Sequence, residues 1–220
     1  MINNNGGSVH DLQGNLVVAD PIDPEVVQEL EEYFTTNQIT YTMITDKNYF
    51  NSDKEDLREK FTTAFTSDES SDKTNQQVDT YMANVTDLKN SQPGKDEIVL
   101  KMMMIDDNLD RIAKIKGDFK DHENLYISSS SPANIEFTNP VANKGQAVLN
   151  YAKTKNIHAD EIVSIGDSNN DLSMFAVTGK SFAMANASDE IKAAATNQCP
   201  SNNDEGVAQA IDRILTDLNK

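Results

Sequence analysis

The sequence predicts an α/β chain in which an α+β unit with an antiparallel sheet precedes a parallel sheet layered with helices, and three observations carry that prediction. The pattern changes near Pro140, where an irregular mixture of strand and helix candidates gives way to helix, strand, helix, strand and helix with short connections. Within the second part, Glu161-Ile162-Val163-Ser164-Ile165 is compact and apolar enough for burial on both faces, as in a parallel sheet. The chain of 220 residues is long enough for one or two domains with real cores.

Taken in order, Gly14 to Asp20 is a short apolar strand candidate after the turn Asn5-Gly6-Gly7, and Pro21 and Pro24 end it. From Glu25, the residues Val26, Val27, Leu30, Tyr33 and Phe34 recur at helical spacing, with Glu29, Glu31 and Glu32 on the other face. Ile39 to Ile44 alternates polar and apolar residues and is rich in Thr and Tyr, which favours a strand. Asp53 to Phe65 sets Leu57, Phe61, Ala64 and Phe65 on one helical stripe, and the polar run Asp68 to Gln77 reads as a loop. Glu97 to Ile105 reads as a strand with Met102, Met103 and Met104 as its core filling. Asp106 to Phe119 reads as a helix carrying Leu109, Ile112, Ala113 and Lys116, followed by strands at Leu125 to Ser130 and Asn134 to Thr138.

Beyond Pro140, Lys144 to Lys155 is a helix with Val148, Tyr151 and Ala152 on one face. The strand at 161–165 follows, then a short helix from Asp171 to Val177 that stops before Gly179. Ser181 to Ala185 is a second buried strand, Ser188 caps a helix with Asp189 and Glu190 in its first turn, and Val207, Ile211, Ile214, Leu215 and Leu218 stripe the last helix.

Composition narrows the function. With 36 acidic against 19 basic side chains the formal charge is −17, which repels phosphate backbones and anionic lipid heads and argues against nucleic-acid or membrane partners. The apolar run at 99–105 is interrupted by Lys101 and falls far short of the ~20 residues of a spanning helix. The opening residues lack both a basic start and an apolar stretch, so a cytoplasmic location is expected. The single cysteine, Cys199, has no neighbouring base to activate it, and His10, His122 and His158 are too scattered for zinc. Any bound metal must therefore be held by oxygen ligands.

Two segments could carry chemistry. Gly166-Asp167-Ser168-Asn169-Asn170-Asp171 follows a buried strand, where ligands of open α/β sheets collect, and offers two carboxylates and two amides to a hard cation such as magnesium. The same residues also suit a purely structural role, with Asp167 in an Asx-turn and Asp171 capping the helix. Asn143-Lys144-Gly145 opens another helix, whose free N–H groups and positive end favour an anion. Lys144 adds a full charge there, or is a solvated surface lysine.

Together, Lys144-Gly145, the run from Glu161 to Asp171, Ala183-Met184-Ala185-Asn186-Ala187 and Asn203-Asp204-Glu205-Gly206-Val207-Ala208 resemble, in order and spacing, the C-terminal part of the haloacid dehalogenase-like (HAD) phosphatases of the Cof type. Asn5-Gly6-Gly7 and Asp20-Pro21-Ile22 resemble that subgroup's turn before the cap and the cap's entry. The resemblance implies a partial Rossmann-like HAD core, a parallel sheet with helices, plus an α+β cap domain with an antiparallel sheet. Residues 1–13 would be a remnant of core or linker, 14–139 the cap, and 140–220 the C-terminal part of the core. It further implies a magnesium-dependent phosphohydrolase acting on small phosphorylated metabolites of the sugar-phosphate type through an aspartyl-phosphate. Carried over by position, Asp167 is the Mg2+ ligand, Lys144 balances the phosphoryl charge, Asn170 contacts phosphate, and Asp171 is the supporting carboxylate. These parts suit phosphoryl transfer, which is mainly positioning and charge stabilisation.

The sequence departs from the family where the nucleophile belongs. In Cof-type chains an Asp-x-Asp-Gly-Thr motif and a phosphate-binding Ser/Thr motif precede the Asn-Gly turn, which here begins at Asn5, and neither motif is present. Asp20-Pro21-Ile22-Asp23 is no substitute, because it follows the turn and carries proline where the loop needs N–H donors. The expectation is a truncated phosphatase, inactive as this chain, with an unpaired strand edge and an apolar face exposed. The alternative is a non-enzymatic binding or regulatory remnant of such a phosphatase.

Overall fold

Asparagine and glycine shape the start of the chain, because Asn4, Asn5 and Gly6 all take positive φ (52°, 56° and 107°) in a tight 3₁₀ turn. The turn joins β1 (Ile2–Asn3) to β2 (Ser8–His10) in antiparallel pairing, and β3 (Leu16–Ala19) completes a three-stranded sheet. This computed structural model describes residues 1–65, 71–129 and 131–218. It divides into two units: Met1–Val18 with Val141–Lys220, and the intervening Ala19–Pro140.

In the intervening unit, α1 (Pro24–Thr36) starts where Asp23 accepts a hydrogen bond from the Glu25 N–H, and it buries Val26, Val27, Leu30 and Phe34. It is followed by β4 (Tyr41–Thr45), β5 (Tyr49–Asn51), α2 (Lys54–Phe65), α3 (Ser71–Ala83) and β6 (Val85–Asp87). Then come β7 (Val99–Ile105), α4 (Leu109–Phe119), β8 (Tyr126–Ser128) and β9 (Asn134–Thr138). The strands form one six-stranded sheet in the order β6-β5-β4-β7-β9-β8. Alternation along β7 buries Leu100, Met102 and Met104. Met102 and Met104 join a core in which the Phe137 ring meets those of Phe34 and Phe119 edge-on at 5.7 and 5.4 Å.

Several local expectations change here. From Ser71 the chain is helical rather than a loop, because Val78 and Met82 of α3 recur at helical spacing and pack with Leu57 and Val85. Positions 68–70 of the expected loop, Ser130, and the side chains of Ala64 and Phe65 lie outside the described residues. The short strands β5 and β6 were not anticipated; they pair in parallel, with α2 and α3 as their crossover, so the otherwise antiparallel sheet is mixed. Helix α4 buries Ile112, Ile115 and Phe119, whereas Leu109 is exposed. Asn108 caps the helix immediately before Leu109, so that residue sits in the outward-facing first turn.

The other unit continues with α5 (Lys144–Thr154), β10 (Val163–Gly166), α6 (Leu172–Val177), β11 (Lys180–Met184), α7 (Asp189–Ala194), β12 (Asn197–Cys199) and α8 (Gly206–Leu218). Its three strands are parallel in the order β10-β11-β12. Successive residues of β11 face opposite ways: Ala183 packs with Phe175, Ala187 and Ile191, while Phe182 and Met184 pack with Cys199 and Ala210. Both faces of β11 are therefore covered, whereas in β10, which begins only at Val163, Val163 and Ile165 are partly buried beside Ser164 and Gly166. The last helix differs from its expected stripe. Ala210 is buried and Ile214 packs against the sheet, but Val207, Ile211 and Leu215 stand 45%, 46% and 52% exposed. Leu218 lies outside the described side chains.

Burial pushes the Cys199 thiol up from its ordinary value, which lowers the thiolate fraction at neutral pH. Iodoacetamide at pH 7.5 is expected to alkylate Cys199 slowly in the folded chain and rapidly in urea; comparable rates in the two states would contradict the packing around it. Among the described residues, no helix is long and apolar enough to cross a membrane.

Candidate active site

Strand β10 ends at Gly166, and the chain turns through Asp167 and Ser168 into a 3₁₀ turn at Asn169–Asp171. Asp171 is only 4% exposed, yet its carboxylate is fully engaged. Oδ2 accepts from the backbone N–H groups of Asp167 (2.9 Å) and Ser168 (3.0 Å), and Oδ1 accepts from the Lys144 ammonium at 2.6 Å. Lys144 also donates to Asn170 Oδ1 at 3.1 Å. One buried carboxylate thus ties the loop after β10 to the first residue of α5, and the ion pair balances a charge that would be costly alone. A Cβ on Gly166 would lie 2.5 Å from Asp171 Cβ, Cγ and Oδ2, so only glycine leaves room for that carboxylate.

Asp167 is the exposed carboxylate of the set, with Oδ2 accepting from Asn186 Nδ2 at 2.9 Å and Oδ1 from the Ser168 hydroxyl at 3.3 Å. Asn186 follows β11, and its Oδ1 accepts from the Asn202 N–H at 3.1 Å, so the loops after two adjacent parallel strands meet at Asp167. Asn170 donates to Asn5 Oδ1 at 3.3 Å, joining the first turn of the chain to the same cluster. Among the described residues no three His, Cys, Asp or Glu side chains group as metal ligands.

The four residues singled out from sequence therefore form one connected set. Asp171 occupies the structural position that the capping argument allowed, while also anchoring Lys144. The expected free amides of α5 are not free: Gly145 N–H donates to Ser173 Oγ (3.1 Å) and Gln146 N–H to Asn143 Oδ1 (2.9 Å). The cationic character of this helix start rests on the Lys144 side chain instead. Asn186 and Asn5 entered only as members of the runs that carry the resemblance, and Ser173 was given no role. The available signal for Asn186 was its place just past the carboxyl end of the strand beside β10.

Residues 1–211 match the family model described as haloacid dehalogenase-like hydrolase. Among curated proteins, the 5-amino-6-(5-phospho-D-ribitylamino)uracil phosphatase YwtE of Bacillus subtilis (strain 168) is 29% identical over 222 residues, a match covering 96% of this chain and 77% of that protein. Phosphatase YwpJ of the same organism is 40% identical over 93 residues, covering 42% of this chain and 33% of its own length. Among solved structures, a haloacid dehalogenase-like hydrolase from B. subtilis superposes with a TM-score of 0.81 at 23% identity, over 96% of this chain and 78% of that one. The HAD subclass IIB sugar phosphatase BT4131 gives 0.72 at 15% identity, over 96% and 73%, which supports the fold alone. A family match running through nearly the whole chain, over a sheet and loop of this geometry, makes the protein a member of the haloacid dehalogenase-like hydrolase family.

Proposed function

We propose that this chain carries the cation- and lysine-bearing part of a Cof-type, magnesium-dependent phosphohydrolase site for small phosphorylated metabolites, and that these 220 residues alone do not turn over phosphomonoesters. The observation that carries the reading is the Lys144 ammonium, held 2.6 Å from a buried carboxylate beside the loop of Asp167. Asp171 keeps Lys144 in one place, so the ammonium can neutralise phosphoryl oxygens without first being ordered. The Asn170 side chain accepts from the same ammonium and so stands next to it. The name of YwtE, as a phosphatase of a phosphoribityl compound, supports the substrate class.

The donor set fits magnesium loosely. Asp167 offers one exposed carboxylate, and magnesium keeps several waters and takes few protein ligands. Asp171 is spoken for by two amides and an ammonium, so its part is positioning. Bound there, magnesium would supply charge stabilisation to the phosphoryl group. A covalent route needs an attacking carboxylate, and the Asp-x-Asp-Gly-Thr pattern does not occur in the 220 residues. That same observation favours a second reading, a non-enzymatic remnant that binds phosphorylated ligands or regulates a partner.

Purified chain with an aryl phosphate and magnesium is expected to show no hydrolysis above buffer, while manganese, used as a paramagnetic stand-in, binds weakly and is lost in Asp167→Ala. Turnover abolished by Asp167→Ala would overturn the inactivity. Manganese binding unchanged in that variant would overturn the metal role.

A further inference from the structure

We propose that the cleft between the start of α2 and β6 binds a small zwitterion of the amino-acid class, with its anionic group beside Lys54 and Arg58, its ammonium beside Glu55 and Asp87, and an apolar side chain against Met82 and Val85. The cleft lies wholly within the Ala19–Pro140 unit, and the inference does not depend on the proposed chemistry.

The cleft has a volume of about 490 Å³, within the range of small-molecule sites and ample for an amino acid or a dipeptide. Met82 and Val85, 4% and 3% exposed, give it an apolar floor. Its walls are charged. Lys54 and Arg58 stand four residues apart on α2, so two cations share one face of that helix. Glu55 from the same first turn and Asp87 from the end of β6 add two carboxylates.

These four charges are not spent on one another. Lys54 donates to the Val85 carbonyl at 2.6 Å, a neutral partner, and the Arg58 guanidinium pairs with Asp79, which does not line the cleft. The Asp87 carboxylate accepts from the Lys89 backbone N–H at 2.8 Å. Among the described residues, Lys54, Glu55 and Asp87 enter no side-chain ion pair. A half-buried ammonium is ordinarily matched by a counter-charge; here a carbonyl fixes its position and leaves its charge uncompensated. Asp79 steadies Arg58 in the same way, and groups already held lose less freedom when a ligand arrives.

The lining also selects among ligands. A simple anion gains from Lys54 and Arg58 but meets Glu55, Asp87 and a chain of formal charge −17. A simple amine meets the two cations. A ligand with both charges satisfies both pairs, and its apolar part then covers Met82 and Val85. Charge pairs this close to water are individually weak, so binding in the millimolar range is expected.

The probes are L-leucine and L-leucyl-L-leucine, titrated into the purified 220-residue protein while the NMR shifts of the amides at 54–58 and 85–90 are followed. Isocaproate, which is leucine without its ammonium, and isoamylamine, which is leucine without its carboxylate, test the two charges separately. A zwitterion is expected to shift these amides, with both analogues at least about fivefold weaker. The tighter of the two zwitterions tells whether a free amino acid or a peptide is the source. Arg58→Gln, at an exposed position, and Asp87→Asn, which retains an acceptor for the Lys89 N–H, are expected to keep the circular dichroism and melting temperature while weakening binding about fivefold. Lys114→Gln, on exposed α4 surface, is the control and is expected to bind normally. No shift with either zwitterion, shifts confined to other residues, or either cleft variant binding as tightly as the control would each overturn the proposal. An analogue or inorganic phosphate binding as tightly as the zwitterions would also overturn it, in favour of a site for a single charge.

Discussion

Asp171→Ala is expected to destabilise its unit by about 3 kcal/mol or more, near the upper range for a point substitution, because three partners lose their acceptor together. The Asp167 and Ser168 amides and the Lys144 ammonium all end on this one side chain, in a position 4% exposed. Each buried donor left unmet costs roughly 1–3 kcal/mol, with partial relief from water where Lys144 reaches the surface. Asp171→Asn keeps the volume and one acceptor oxygen but turns an N–H₂ toward a donor, so an intermediate loss is expected. Urea unfolding of the three proteins measures the order. A loss below about 1 kcal/mol for the alanine variant would show that the carboxylate is not the tie it is described as.

Gly145→Ala should be the second large effect, and two opposing terms decide its sign. Alanine is favoured over glycine by at most ~1 kcal/mol in a helix interior, and Gly145 is only the second residue of α5. Against that, a Cβ at Gly145 would fall inside contact distance of the Ser173 carbonyl oxygen and carbon, which are backbone and cannot swing aside. Overpacking of this kind costs ~1–3 kcal/mol, occasionally more, so the net change is a loss. It would also push α5 from α6 next to Lys144 and break the Gly145 N–H bond to Ser173 Oγ. Gly117 is the matched control: it lies within α4 with nothing near its Cβ position, so Gly117→Ala is expected to gain ~0.5–1 kcal/mol. Equal effects at the two glycines would refute the close approach of α5 and α6.

Much of this was legible in the sequence wherever one physical cause acted alone. Ser188 was read as a cap and caps a helix, and Asn143-Lys144-Gly145 was read as a helix start and opens one that Asn143 caps. Sequence failed where tertiary packing selected among local options. The three-residue strands β5 and β6 are too short for a periodic signal and exist because they pair with each other. The polar run before Val78 hides a helix, of which Val78, Tyr81 and Met82 pack into the apolar cluster with Leu57 and Val85. At α8 the apolar count was right and the orientation was not, because small Ala210 lets the helix sit close to the sheet and turns larger residues outward. At the site, residue types and order were readable in advance. That Asp171 would take both a cap's amides and the lysine depended on a three-dimensional convergence that spacing does not encode.

The division of one unit between the two ends of the chain has a consequence for how the molecule comes together in time. Residues 19–140 are continuous, so every partner in the Phe34–Phe119–Phe137 core has been synthesised before the final third of the chain exists. The first turn is made at the outset, yet its packing partners lie at the far end: Gly6 sits against Asn143, and Asn5 accepts from Asn170, 165 residues later. Closing so long a loop is entropically slow, and the penalty shrinks once the intervening unit has condensed and shortened the effective path. Refolding should accordingly show the aromatic core protected first, with the Asn5–Asn170 and Lys144–Asp171 ties forming last.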